Sequence, residues 1–274
     1  MKLKDTELFL QCCKDNNLEK VQACLTLEVD VNAVDDCGDT AANWAAEMGH
    51  TEVIRVLAAT GLVDWNKGEN GGWTPLHGAV FGGESEVAGI IAKQTNVNFS
   101  LQTDFGTTVA MAAVRGGNAR CVEILSEKEN YDNWNIPDDD GDTPLMQAFV
   151  DGKKDILKIL LDCPQVDPNL KDQDGNSPLM KAIKAKKTAL ARMLIKCPRV
   201  DLGTRDRNGA SLQRIARWEE NKMGFKLVFN RLILGRKDSP RFVTWLRMPR
   251  TPGWVSLRWR RTPGFASWRW RRLS

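Results

Sequence analysis

The chain has 274 residues, of which 42% are hydrophobic and 27% charged. These are globular proportions. They exclude collagen-like and wholly disordered chains, and the length allows one large domain or two modest ones. The net charge of +4 hides a division, because residues 1–235 hold 28 Lys and Arg against 34 Asp and Glu whereas residues 236–274 hold 11 against 1. Five of the ten tryptophans also lie in the second segment, so the sequence predicts an acidic body followed, from about residue 236, by a basic Trp/Arg-rich tail. No uninterrupted apolar run reaches about 18 residues, and the opening Met1-Lys2-Leu3-Lys4-Asp5 carries no signal-peptide core. A cytoplasmic or nuclear location is expected.

A glycine follows a polar turn at Gly38, Gly72, Gly106, Gly141, Gly175 and Gly209, at intervals of 34, 34, 35, 34 and 34 residues. Six markers on one period define an internal repeat. Asn32, Asn66, Asn98, Asn135 and Asn169 read as a second series on the same beat, and the interval of 37 between Asn98 and Asn135 places a short insertion within residues 126–133. In chain order, seven units start near residues 5, 36, 70, 104, 139, 173 and 207. The first is a cap, in which Leu8-Phe9-Leu10-Gln11-Cys12-Cys13 supplies the first helix and Asn17-Leu18-Glu19-Lys20-Val21 opens the second.

Units two to six share one grammar: glycine, Thr or Ser, a proline or small apolar residue, a small apolar helix, a polar break, then a second helix with an aliphatic stripe. In the third unit, Gly72-Trp73-Thr74-Pro75-Leu76-His77-Gly78-Ala79 leads to a break at Gly82-Gly83 and on to Val87, Ile90 and Ile91. Proline suits a helix's first turn, where its missing N–H would be unpaired anyway, and the Thr before it can cap the free amides. The seventh unit is degenerate, with Trp218, Met223 and Phe225 where small or aliphatic residues would be usual. Terminal units of a stack are expected to be atypical, since one face has no neighbour.

Thr74-Pro75-Leu76-His77, its altered forms Thr143-Pro144-Leu145-Met146 and Ser177-Pro178-Leu179-Met180, the phrase Gly49-His50-Thr51-Glu52-Val53 and the turn Asp30-Val31-Asn32 together resemble the ankyrin repeat. The resemblance covers about residues 5–235. It implies an all-α repeat solenoid of helix-turn-helix units joined by β-hairpin-like loops; residues 236–274, outside the resemblance, are expected from their composition to be a disordered tail. It also implies that His50 and His77, the two histidines of the chain, are structural. Hairpin asparagines of this family are targets of an asparaginyl hydroxylase, which makes Asn32, Asn66, Asn98, Asn135 and Asn169 candidates for that modification. Asn also simply tolerates such turns.

Parts for catalysis are missing: there is no Walker loop, Rossmann fingerprint, nucleophile elbow or zinc-protease motif. No enzyme activity, cofactor or metal is therefore expected. Asp138-Asp139-Asp140-Gly141-Asp142 suggests a calcium loop, but Ile136 and Gln147 would stand at its first and twelfth positions, so it reads as a hairpin tip with solvated carboxylates. The seven cysteines contain no Cys-x-x-Cys pair and read as buried thiols.

The resemblance implies a scaffold that receives a protein partner on a concave face, built from hairpin tips and the exposed sides of the first helices. Variable residues there are Trp44, Glu47, Met48, Phe81, Arg115, Gln147, Asp151, Lys181, Lys184 and Trp218 on helices, with Glu69, Phe99, Asp138, Asp139 and Asp140 among those at tips. Trp44, Trp65, Phe81, Phe99 and Trp134 are expected to be interface anchors, because aromatics dominate protein interfaces. Charge runs from acidic tips to a basic stretch over residues 181–187.

In the tail, residues 250–260 recur at 261–271, with Arg258-Trp259-Arg260 returning as Arg269-Trp270-Arg271. Such a copy reads as the product of a tandem duplication. The alternative function is an adaptor attached through these residues to nucleic acid or an anionic membrane, since guanidinium groups neutralise phosphates while indoles stack on bases or sit among headgroups.

Overall fold

The computed structural model of the protein describes residues 2–215, apart from 70, 129–130, 132 and 213. Trp218, the second half of the seventh unit and the whole tail lie outside the described residues. Within them the chain forms six antiparallel helix pairs: α1 Lys2–Lys14 with α2 Leu18–Leu25, α3 Ala41–Glu47 with α4 Thr51–Thr60, α5 Pro75–Gly82 with α6 Ser85–Ala92, α7 Val109–Gly116 with α8 Ala119–Ser126, α9 Pro144–Val150 with α10 Lys154–Asp162, and α11 Pro178–Lys184 with α12 Thr188–Lys196. The hairpin that opens the seventh unit follows, closed by the antiparallel bridge between Arg205 and Ser211. No helix among the described residues is long and apolar enough to cross a membrane.

The first helix of each repeat starts where its cap dictates. Thr40, Thr74, Thr108, Thr143 and Ser177 are extended and accept the amide of the third helical residue through their hydroxyls. Thr40 with Asn43, and Thr74 with His77, close reciprocal capping boxes. These helices carry alanine on their packed faces, as at Ala45, Ala79, Ala113, Ala148 and Ala182, all of them buried. Small residues let neighbouring helices approach closely: a Cβ on Gly116 would collide with the Phe81 carbonyl. Second helices seal the stack with aliphatic side chains, such as Val53, Ile54 and Leu57, or Ile156, Leu157 and Leu160. Because each unit buries its apolar stripe only against the next, the core is one continuous cluster from Phe9 to Ile215.

Six hairpins join the units, and all repeat the same two backbone hydrogen bonds. Asp35 N–H donates to the Asp39 carbonyl and Gly38 N–H to the Asp35 carbonyl, and the pattern returns at residues 69–73, 103–107, 138–142, 172–176 and 206–210. The glycines take positive φ there, +85° at Gly38 and +79° at Gly141, a conformation that costs other residues a steric penalty. At the first hairpin position a side chain usually staples the turn: one oxygen of Asp35, Thr103, Asp138, Asp172 and Asp206 accepts the N–H groups two and four residues on.

The asparagine series corrects the expected register. Asn32, Asn66, Asn135 and Asn169 each donate from Nδ2 to a carbonyl of the next unit, at Leu62, Asn96, Gln165 and Arg199, over 2.7–2.9 Å. Each also accepts the backbone N–H of a residue 32 positions on, at Asp64, Asn98, Asp167 and Asp201. Asn98 therefore stands where Asp64 and Asp167 stand, and its own oxygen takes the Ser100 amide, as theirs take Asn66 and Asn169. Ser100 holds the ladder position, so the insertion before Asn135 is one residue, in agreement with the 35-residue glycine interval.

Two expected anchors are core. Trp65 and Trp134 are 3% and 1% exposed. Trp134 packs edge-on against Tyr131 at 5.0 Å, and Tyr131 against Phe99 at 5.8 Å, forming an aromatic seam under the loop between the fourth and fifth units.

Candidate protein-interaction face

Three residues before the cap of each second helix lies a row of side chains at the ends of the first helices: Lys14, Glu47, Phe81, Arg115, Val150 and Lys184. The corresponding hairpin row of the following units is Asp35, Glu69, Thr103, Asp138, Asp172 and Asp206. Most partly buried carboxylates in it have a cation beside them. Lys14 sits 3.4 Å from the Trp44 ring centroid, whose indole N–H donates to Asp35 at 2.8 Å. Burial alone would raise the Asp35 pKa, but the Trp44 hydrogen bond, the hairpin amides and Lys14 outweigh it and hold the group below its ordinary value. Arg115 pairs with Asp138 at 3.0 Å and donates to Thr107 at 2.9 Å. Lys181 bridges Asp142 and Asp172, the latter at 3.2 Å. Burial opposes ionisation of both Asp172 and Lys181, yet hydrogen bonding and charge prevail, lowering the acid and raising the base.

These pairings revise the expected surface. Asp138 is buried, so this carboxylate is a hairpin staple and not a solvated contact, whereas Asp139 and Asp140 are exposed. Phe99 is not at a tip: it is half-buried in the aromatic seam, with Lys128 5.1 Å from its ring. Arg115 and Lys181 are partly consumed by internal ion pairs. Trp44 is half-buried, Glu47, Met48, Phe81, Asp151 and Lys184 are exposed, and Gln147 donates to Asp151 at 3.0 Å. Phe105, 71% exposed at the hairpin tip of the fourth unit, and Val150, 49% exposed, belong to the same surface and escaped the sequence reading. The framework glycine that follows Phe105 was the signal available for it.

Both histidines serve the frame. His50 meets the Lys14 carbonyl at 3.0 Å. His77 is fully buried, its Nδ1 lies 2.8 Å from the Thr74 hydroxyl, and burial pushes its pKa down to about 4, opposed only in part by the Thr107 backbone. Burial pushes the Cys13 thiol up to about 12 and Cys121 to about 11, which keeps them protonated and unreactive. Asp35, Cys37 and Asp39 bring potential ligand atoms within 4.8 Å of one another, but Asp35 already accepts two backbone amides and the Trp44 indole.

Between the second and third units the face opens into a cavity of about 210 Å³, lined by Asn43, Glu47, Glu69, Trp73, Gly78 and Phe81 among others. Trp73 meets Phe81 edge-on at 5.3 Å, and its carbonyl accepts the Asn43 amide at 3.0 Å. Glu69 is half-buried. Burial, a hydrogen bond with Asp39 and the charges of Asp39, Glu47 and Asp35 push its carboxyl up to about 8. A larger groove of about 600 Å³ between the fifth and sixth units has mixed charge, with Asp140, Asp142 and Asp172 facing Lys181, Lys184 and Lys187.

Stacked helix pairs with hairpin tips along one side define a repeat solenoid whose variable residues are displayed on a common frame. Models of ankyrin repeats match residues 9–103, 87–172 and 160–216, and the chain belongs to the ankyrin-repeat family. Proteins built from these repeats are generally protein–protein interaction modules. The crystal structure of the ankyrin repeat domain of Bcl-3, described as a member of the IkappaB protein family, superposes with a TM-score of 0.74. It covers 81% of this chain and 97% of its own at 17% identity, a likeness of fold. A curated relative, acyl-CoA-binding domain-containing protein 6 of Xenopus tropicalis, is 38% identical over 55 residues. That stretch is 20% of this chain and 19% of the relative, so the chain spans about a fifth of that protein's length.

Proposed function

We propose that this chain is a non-enzymatic scaffold that binds a protein partner along the face formed by its hairpin tips and first-helix ends. One observation carries the reading. Of eight exposed large apolar side chains among the described residues, five, namely Val34, Met48, Phe81, Phe105 and Val150, come from hairpins or first-helix ends. Burying such groups against a partner is favourable by roughly 25 cal/mol per Å² of apolar surface, and the charged residues between them supply orientation more than affinity.

The test is selection of random dodecapeptides displayed on phage against the full chain. Enriched peptides are expected, with recovery falling at least tenfold on the Phe81→Ala/Phe105→Ala double variant and unchanged on Leu27→Ala/Leu62→Ala, whose side chains are exposed on the loops after the second helices. Recovery insensitive to the first pair, or no enrichment at all, rejects this face.

A further inference from the structure

We propose that the cavity between the second and third units is a pocket for one cationic side chain, the ammonium of a lysine or the guanidinium of an arginine, presented by the partner. This rests on the reading of the face as the binding surface and names the chemistry of one of its subsites.

At the first junction Lys14 stands in the helix-end row, over the Trp44 ring and beside Asp35. At the fourth, Arg115 in the same row pairs with Asp138. At the second junction the row holds Glu47 and the hairpin position holds Glu69, so the place of the cation is taken by a second carboxylate. The charged groups facing Glu69 are Asp39 and Asp35 from the preceding hairpin and Glu47 from α3, all acidic. The frame that sets a cation beside Asp35, Asp138 and Asp172 forms no ion pair with Glu69 among the described residues.

Two further departures fall in the same unit and on the same cavity. The other hairpins are stapled by Asp or Thr, whereas Glu69 is one carbon longer than Asp and reaches back to Asp39. Gly78 lies mid-helix where the other units carry Trp44, Ala112, Gln147 and Lys181, and its missing side chain leaves the hollow open. A helix-interior glycine sacrifices stability relative to alanine. A Cβ at Gly78 would lie 3.5 Å from the Glu47 Cβ, an ordinary contact, so packing does not require glycine there.

What remains is a hollow with the space of about seven waters at ~30 Å³ each. It has two aromatic rings at 76° to each other for walls and carboxyl groups at its side. Ring quadrupoles attract a cation, and carboxylates accept its hydrogen bonds. The raised Glu69 carboxyl supports this, since burial, the hydrogen bond with Asp39 and the neighbouring carboxylates make it retain a proton that an entering cation would displace.

The test uses the full chain with ¹⁵N-labelled indoles. The Trp73 signal is identified by its loss in Trp73→Phe, and the probes are n-butylammonium, methylguanidinium and neutral 1-butanol. Both cations are expected to shift the Trp73 signal saturably at millimolar concentration, with 1-butanol at least tenfold weaker. Binding should strengthen as pH rises from 6 to 8, as the Glu69 proton ceases to compete. Glu47→Gln/Glu69→Gln should weaken the cations at least tenfold, and Gly78→Leu, which fills the hollow without altering charge, should abolish the response. An equal response to 1-butanol, no response at Trp73, or cation binding unchanged in the double variant overturns the proposal. If phage peptides are captured through Phe81 and Phe105 while Trp73 ignores both cations, this pocket falls and the face stands.

Discussion

The junction between the fourth and fifth units and that between the second and third share one backbone frame and use it oppositely. In the former, Arg115 from α7 neutralises Asp138, which in turn holds two hairpin amides, so the charges are spent on the fold. In the latter, Glu47, Glu69 and Asp39 crowd beside Trp73 and Phe81, leaving an acidic, aromatic hollow. The difference teaches that a repeat frame tolerates an uncompensated position if stability is supplied elsewhere, and it is at such a position that the proposed cation pocket lies.

The comparison is broken most severely at Asp138. Asp138→Ala strands a half-buried arginine and two hairpin amides, and should cost about 3 kcal/mol in urea unfolding, because removing one member of a buried pair leaves its partner unsatisfied. Asp139→Ala, on its exposed neighbour, should stay within ~0.5 kcal/mol. Equal effects at the two sites would show that the pairing does not stabilise the hairpin.

Next in size is the pH response of the third unit. His77 accepts a proton near pH 6.5 when unfolded but only near 4 when folded, so the stability it contributes is present above 6.5 and lost as pH falls toward 4. His77→Asn, which installs the capping residue that Asn43 already provides in the second unit, should flatten the urea midpoint between pH 7 and 5 relative to the parent chain.

Glu69 has the opposite sign. Its folded pKa of about 8 exceeds the ordinary 4.5, so the native state holds an extra proton between those values, and stability falls as pH rises through 8. Glu69→Gln should therefore gain relative stability at pH 9, read as a higher melting temperature than the parent, with the gain shrinking toward pH 5. The smallest effect sharpens the glycine argument: Gly78→Ala should stabilise by ~0.5–1 kcal/mol if the helix needs no glycine there. Destabilisation would instead make Gly78 a packing residue.

Much of the fold was legible in the chain. The glycine period, the Thr-Pro caps and the aliphatic stripes placed the helix pairs, since each is a local device with a fixed sequence cost. Hairpin side chains were less legible. Asp138 and Asp139 are adjacent and chemically identical, yet one is stapled inward and the other is exposed. Asn98 was assigned two residues out of register because asparagine suits both the turn-closing and the ladder positions. Trp65 and Trp134 looked like anchors because an aromatic that breaks the small-residue grammar can fill either a seam or a surface.

By itself the sequence determined the repeat, its period and its caps, because helix initiation, turn conformation and the alternation of small and aliphatic residues depend on neighbours a few positions apart. The tertiary structure alone decided which charges are spent and which are free. Asp138 lies 23 residues from Arg115 and Asp142 39 residues from Lys181, and the like-charged facing of Glu47 and Glu69 arises only when consecutive units stack. A carboxylate's role is set by what stands within a few ångströms of it, and in a solenoid that neighbour belongs to the adjacent repeat.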